Sequence, residues 1–211
     1  LTLEWARYAE QIGVDLFKVR EAIRKRKGTH DNMCRPSLGV GGYCLTKDPV
    51  LANWAMQTLF EIDDILEVAI RSVNINDTMP LHTIDIIKKE IPNLRDVKIA
   101  ILGVSYLENI ADTRHSPSKT LVDFLRKEFA LVYTHDPYVE VWSELEDAKV
   151  EKELNAVLPQ ADVVIFAVGH NQYKHLDPAE VVAMCQGKKP LIVDCSNLLF
   201  KDTSYNNAMS F

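Results

Sequence analysis

Between residues 97 and 194, four short apolar runs alternate with helical stretches, and that alternation leaves few architectures open. Val97-Lys98-Ile99-Ala100-Ile101-Leu102-Gly103 is apolar nearly throughout, as a strand covered on both faces must be. The runs Ala130–Asp136, Ala161–Val168 and Pro190–Asp194 repeat the pattern. Between them, Ser116-Pro117 supplies a cap and a first-turn proline for a helix running through Leu121, Val122 and Leu125. Leu154–Leu158 and Pro178–Cys185 read as further helices. Strand and helix alternating over short links imply an α/β fold with a doubly wound parallel sheet. Ligands on such sheets sit outside the carboxyl ends of the strands. The positions to watch are therefore Gly103–Tyr106, His135-Asp136, Gly169-His170 and Asp194–Asn197. No Gly-x-Gly-x-x-Gly opens any strand, and Gly103-Val104-Ser105 lacks the later glycines that let a pyrophosphate approach.

The first ninety residues are helical in period. Leu3, Ala6 and Ala9, then Phe17, Val19 and Ile23, mark two helices separated by Gly13, with Asp15 placed to cap the second. From Pro49 to about Ile91 a long helical run carries a wide apolar stripe: Leu51, Trp54, Leu59, Ile62, Ile65, Leu66, Ile70 and Val73. Pro80 breaks or kinks it, and Asn74 and Pro80 read as structural. A chain opening in mid-helix at Leu1 is expected to be part of something longer.

Between these halves lies Gly39-Val40-Gly41-Gly42-Tyr43-Cys44-Leu45-Thr46-Lys47-Asp48-Pro49. Glycines let a backbone approach a ligand closely. A thiol becomes a nucleophile where a positive charge or a helix start favours its thiolate, and Lys47 and the approach to a helix supply both. Asp48-Pro49 reads as an N-cap followed by a first-turn proline. Cysteine is equally at home as a small buried hydrophobe, so the spacing leaves both roles open for Cys44.

Composition narrows the classes. A net charge of −6 gives no global attraction to nucleic acid or anionic membranes, and no apolar run reaches spanning length. The four cysteines (Cys34, Cys44, Cys185, Cys195) form no CxxC pair and show no metal-ligand spacing, which points to a reduced, cytoplasmic protein without a metal.

The pattern Gly-Val-Gly-Gly-x-Cys-x-x-x-Asp-Pro, preceded by Arg35-Pro36, resembles the active-site cysteine loop of the UDP-glucose/GDP-mannose dehydrogenase family, most closely its UDP-N-acetylhexosamine branch. Downstream, Gly103-Val104-Ser105-Tyr106 and Asn109-Ile110-Ala111-Asp112-Thr113-Arg114-His115-Ser116-Pro117 resemble the signature that opens the family's C-terminal nucleotide-sugar domain. The resemblance implies a central helical, dimerisation domain at 1–92 carrying the cysteine loop. A Rossmann-like UDP-sugar-binding domain would follow at 93–211. It further implies a homodimer through the long central helix, and NAD held mainly by a preceding domain outside these residues. The chain by itself would then be inactive.

The implied reaction is a double oxidation of the C6 alcohol of a UDP-sugar to a uronic acid of the kind used in surface polysaccharides. Cys44 would carry the covalent intermediate, Lys47 would stabilise thiolate and oxyanion, and Asp48 would orient or deprotonate water. Substrate would be met by Arg35, Gly39, Gly41, Gly42, Tyr43, Tyr106 and Arg114. Arg114 either pairs with Asp112 or reaches a phosphate as a planar donor fork. Two positions depart from the family pattern: Leu107 replaces a usual Lys, and Cys195-Ser196-Asn197 lacks a usual cation after the last strand. Their loss leaves a non-catalytic sugar-nucleotide-binding module as the alternative.

Overall fold

In the computed structural model, which describes residues 1–145, 147–199 and 208–210, the runs Lys98–Leu102 (β1), Leu131–His135 (β2), Val163–Phe166 (β4) and Leu191–Asp194 (β5) are strands of one sheet. Two shorter strands join it, Val150–Glu151 (β3) and Ala208–Ser210 (β6). The order is β3-β2-β1-β4-β5-β6, and every pairing is parallel. Ile99, Ala100, Ile101, Leu102, Val163, Val164, Ile165 and Phe166 are fully buried, which is why these segments carry no polar alternation.

Helices cover both faces. Pro117–Lys127 (α6) is capped by the Ser116 hydroxyl, which accepts from Ser118 N at 3.3 Å. It packs with the β1 face through Leu121, Val122 and Leu125. Leu154–Val157 (α7) and Pro178–Met184 (α8) lie over the other face with Tyr173 and Phe166. Asp177 and Glu180 form a reciprocal capping box at α8.

The amino-terminal helices fall at Thr2–Gln11 (α1) and Leu16–Ile23 (α2), with Asp15 capping the second through Lys18 N at 3.1 Å. The expected long run from Pro49 is instead three helices: Asp48–Thr58 (α3), Glu67–Asp77 (α4) and Met79–Glu90 (α5). The main break lies at 59–66 rather than at Pro80. Glu61 turns left-handed at φ 53°, and side chains then hold the linker: Asn53 Oδ1 accepts from Leu66 N at 2.8 Å, and Gln57 Nε2 donates to Asp64 O at 3.0 Å. Such bonds offer the backbone an alternative to the helix ladder. Pro80 sits in the first turn of α5, where its missing N–H is harmless.

The apolar stripe therefore faces outward. Helix α3 buries none of its residues and α4 buries Val73 alone, while Leu51, Trp54, Leu59, Phe60, Ile62, Ile65 and Val68 are exposed. Helix α5 buries Met79, Ile84, Ile86 and Ile87 in the core it shares with β1 and α6. No helix among the described residues is long and apolar enough to cross a membrane.

Candidate active site

The sheet order reverses direction between β1 and β4, and the loops leaving those two strands frame a crevice at their carboxyl ends. A cavity of about 390 Å³ occupies it. One wall is Ser105-Tyr106-Leu107-Glu108 after β1, a second is Ala167-Val168-Gly169 after β4, and Ser196 follows β5. The remaining wall comes from the segment Cys34–Gly41 with Leu45. Of the expected substrate residues, Arg35, Gly39, Gly41 and Tyr106 meet here, with Arg35 the one cation among the described lining residues. Both departures from the family pattern, Leu107 and Ser196, line this same cavity.

The glycine loop is docked onto the sheet rather than free. Gly42 takes a left-handed φ of 85° and its N–H donates to Arg114 O at 3.0 Å. A Cβ on Gly41 would lie 2.6 Å from Tyr106 Cβ and 2.7 Å from His115 O, neither of which can swing aside. Gly41→Ala should therefore displace the whole loop. We expect a loss of roughly 2 kcal/mol or more in urea unfolding, the size typical of overpacking. Ligand affinity should fall with it; a variant of wild-type stability and affinity would show that the loop is not seated on Tyr106.

The docked loop presents Tyr43, Cys44 and Leu45 to solvent. Cys44 O accepts from Lys47 N at 3.2 Å and Asp48 N at 2.9 Å, so the thiol stands on the turn that starts α3. Helix α3 begins one residue earlier than expected: Asp48 is its first residue and caps nothing. Instead its carboxylate accepts from Lys47 Nζ at 2.6 Å. That bond, chiefly, pushes the Lys47 pKa up, with the Cys44 thiol a smaller contributor in the same direction. The Tyr43 ring lies between Lys47 Nζ at 4.8 Å and Arg114 Cζ at 5.7 Å, edge-on to His115.

Arg114 pairs with Asp112, donating from Nη2 at 2.6 Å and from Nε at 3.0 and 3.1 Å. The hydrogen bonds between them raise the arginine's pKa and lower the carboxyl's. Cys44, Tyr43, Lys47, Asp48 and Arg114 thus form one cluster beside the cavity, joined to its wall through Gly41 and Leu45, without themselves lining it.

The other strand-end positions turn inward. Asp136 Oδ2 accepts from Val104 N at 2.8 Å, Ser105 N at 3.1 Å and His170 Nε2 at 3.1 Å. Its Oδ1 accepts from Tyr138 N at 2.9 Å and Val139 N at 3.1 Å. Burial alone would raise this carboxyl; the His170 and backbone donors outweigh it and hold the pKa at about 2. His170 Nδ1 accepts from Asn109 N at 2.9 Å, which leaves the proton on Nε2. His135 is fully buried between Tyr173 and Lys152 O, and burial pushes its pKa down. Asp194 turns back onto the N–H groups of Ser196, Leu198 and Leu199. Burial outweighs them and raises its pKa. These groups shape the loops and are closed to a ligand.

They also settle whether this sheet offers a dinucleotide cradle. The N–H groups of Val104 and Ser105, where a pyrophosphate would be received, are taken by Asp136. The residues present do not fit NAD at this turn. Among the described residues no group of His, Cys, Asp and Glu is placed to hold a metal.

Two family models match the chain. Residues 2–76 match the model of the central domain of the UDP-glucose/GDP-mannose dehydrogenase family, and residues 100–201 that of the family's UDP binding domain. The chain belongs to the UDP-glucose/GDP-mannose dehydrogenase family. A UDP-N-acetyl-D-mannosamine dehydrogenase of Methanocaldococcus jannaschii is 29% identical over 204 residues, covering 96% of this chain and 44% of the relative. An NDP-N-acetyl-D-galactosaminuronic acid dehydrogenase of Ralstonia nicotianae is 28% identical, covering 82% of this chain and 40% of the relative. The crystal structure of the corresponding Methanosarcina mazei enzyme superposes with a TM-score of 0.84 at 26% identity, over 93% of this chain and 43% of that one. The chain thus spans less than half the length of these family members, and its α/β fold is theirs.

Proposed function

We propose that this chain is the cysteine-loop and nucleotide-sugar-binding part of an NAD-dependent UDP-(N-acetyl)hexosamine 6-dehydrogenase, with a helical domain at 1–92 and a UDP-binding domain at 93–211. The observation that carries this reading is the seating of the Cys44-x-x-Lys47-Asp48 turn. Gly41 and Gly42 clamp it to Tyr106 and Arg114 O, at the rim of the cavity at the sheet's switch point.

In the reaction, the C6 alcohol loses a proton and a hydride to become an aldehyde. The Cys44 thiolate adds to the aldehyde carbon, and Lys47 stabilises the oxyanion as the thiohemiacetal forms. Loss of a second hydride leaves a thioester. Water, oriented by Asp48, hydrolyses it to the uronate and frees the thiolate. Two equivalents of NAD, one per hydride, would supply the oxidising power, held mainly by residues outside this chain, which by itself would then be inactive. Arg35, Gly39, Gly41, Gly42, Tyr43, Tyr106 and Arg114 surround the UDP-sugar. The exposed stripe on α3 and α4 supports a homodimer, since soluble monomers rarely leave so wide an apolar face open. The exposed free thiols Cys34 and Cys44 fit a cytoplasmic setting.

The test is NADH release by the full-length protein with a panel of UDP-sugars. Two NADH per sugar, with one N-acetylhexosamine preferred, is the expected result. The alternative is a binding module without catalysis, favoured by the apolar Leu107 and neutral Ser196 on the cavity wall. Saturable UDP binding with no turnover on any sugar would establish it.

A further inference from the structure

Glu108 is the one carboxylate among the described residues that line the 390 Å³ cavity. A bare carboxylate there would repel a nucleoside diphosphate. It is not bare: Lys174 Nζ lies 2.9 Å from Glu108 Oε2 and 3.0 Å from Asn171 Oδ1. Lys174 belongs to the 3-10 turn Tyr173–His175 after β4. That turn is fixed to the loop after β1 by two bonds: Asn171 N donates to Asn109 Oδ1 at 2.8 Å, and Asn109 N donates to His170 Nδ1 at 2.9 Å. Lys174 does not itself line the cavity, but its ammonium is delivered from a neighbouring loop to Glu108, which does, and which follows Leu107, where the family pattern has its own Lys. The pair is half-open to water, at 32% and 43% side-chain exposure, so its partners exchange readily.

Resting on the reading of this cavity as a nucleotide-sugar site, we propose that Lys174 is a further ligand-binding cation beside Arg35 and Arg114. Glu108 holds it in reserve, and it moves to a diphosphate oxygen when ligand enters, in place of the cation missing at Leu107. Glu108 would then be a positioning residue with an opposing charge. The two members of the pair should act on affinity with opposite signs, which a purely structural ion pair would not produce.

The test is calorimetric binding of UDP and of uridine to the full-length protein at two salt concentrations. Lys174→Ala should weaken UDP about tenfold, more at low salt than at high, and leave uridine unchanged, since a phosphate contact is charge-assisted and screened. Glu108→Gln should tighten UDP several-fold, by roughly the repulsion of one rim charge. Leu107→Lys, placed in the Lys174→Ala background, should restore UDP affinity. UDP binding by wild type with Lys174→Ala within twofold of it, or both variants weakening UDP and uridine alike, would overturn the role of Lys174 while leaving the nucleotide site intact. Absence of UDP binding by wild type would instead overturn the functional reading, and this inference with it.

Discussion

Cys44→Ser in the full-length protein should abolish formation of the uronate, with NADH release falling by roughly a thousandfold or more, because a covalent nucleophile contributes several kcal/mol of barrier lowering. A serine hydroxyl is far less acidic than a thiol, so on this turn, with Lys47 already bonded to Asp48, it would not supply the anion that adds to the aldehyde. Cys34→Ser is the internal control. Cys34 is also exposed and lines the cavity, whereas Cys185 and Cys195 are buried. The Cys34 variant should retain turnover within a few-fold, as surface substitutions usually do. Robust activity in the Cys44 variant, or loss in the Cys34 variant instead, would assign the chemistry to a different thiol or to none. Product trapping sharpens the result, since a stalled Cys44 variant should release no more than one NADH per sugar.

Much of the architecture was legible because burial leaves a simple mark. Strands β1 and β4 are covered on both faces, so Ile99–Leu102 and Val163–Phe166 are unbroken apolar runs. Strand β3 is Val150–Glu151 alone, too short to have a period. The split of the 49–91 run escaped periodicity for a different reason. The apolar spacing continues across Leu59–Leu66, and the break is made by polar side chains, Asn53 and Gln57, bonding to a backbone that follows them.

The site divided along similar lines. The glycine loop stood out as a close approach of backbone to a ligand, and in the fold Gly41 makes such an approach to Tyr106 and His115 O. Asp136, His170 and Asp194 were correctly placed at strand ends, but placement does not say which way a carboxylate faces. That was decided by loop conformation: Asp136 turns to four backbone N–H groups and an imidazole. Lys174 was missed because its spacing from Glu108, 66 residues, carries no sequence signal.

The inward turn of Asp136 makes it the residue whose loss should cost the fold most. Asp136→Ala would strand the N–H groups of Val104, Ser105, Tyr138 and Val139 and the Nε2–H of His170 in a fully buried site. Removing one partner of a buried charged network typically costs about 3–5 kcal/mol, against a total stability of roughly 5–15 kcal/mol. Asp136→Asn keeps one acceptor oxygen but sets an amide NH2 against donors, so it should fall between Ala and wild type in urea midpoint.

The acid limb gives an independent reading of the same group. Its folded pKa, about 2, lies below the ordinary 3.8. The stability it contributes, on the order of 2 kcal/mol, is therefore complete above about pH 4 and lost as pH falls through 2. His135, whose pKa is also depressed by burial, starts the decline earlier, as pH drops below its ordinary 6.5. Asp194, raised by burial, works in the opposite sense and offsets part of the loss. In Asp136→Asn the limb below pH 4 should flatten while the His135 part persists. A limb unchanged in that variant, or an Ala variant within 1 kcal/mol of wild type, where ordinary surface changes fall, would mean that the loops after β1 and β2 are held by something other than this carboxylate. Because the loop after β1 carries Tyr106 and Glu108 to the cavity, any Asp136 variant that still folds should also bind UDP more weakly than its stability alone would predict.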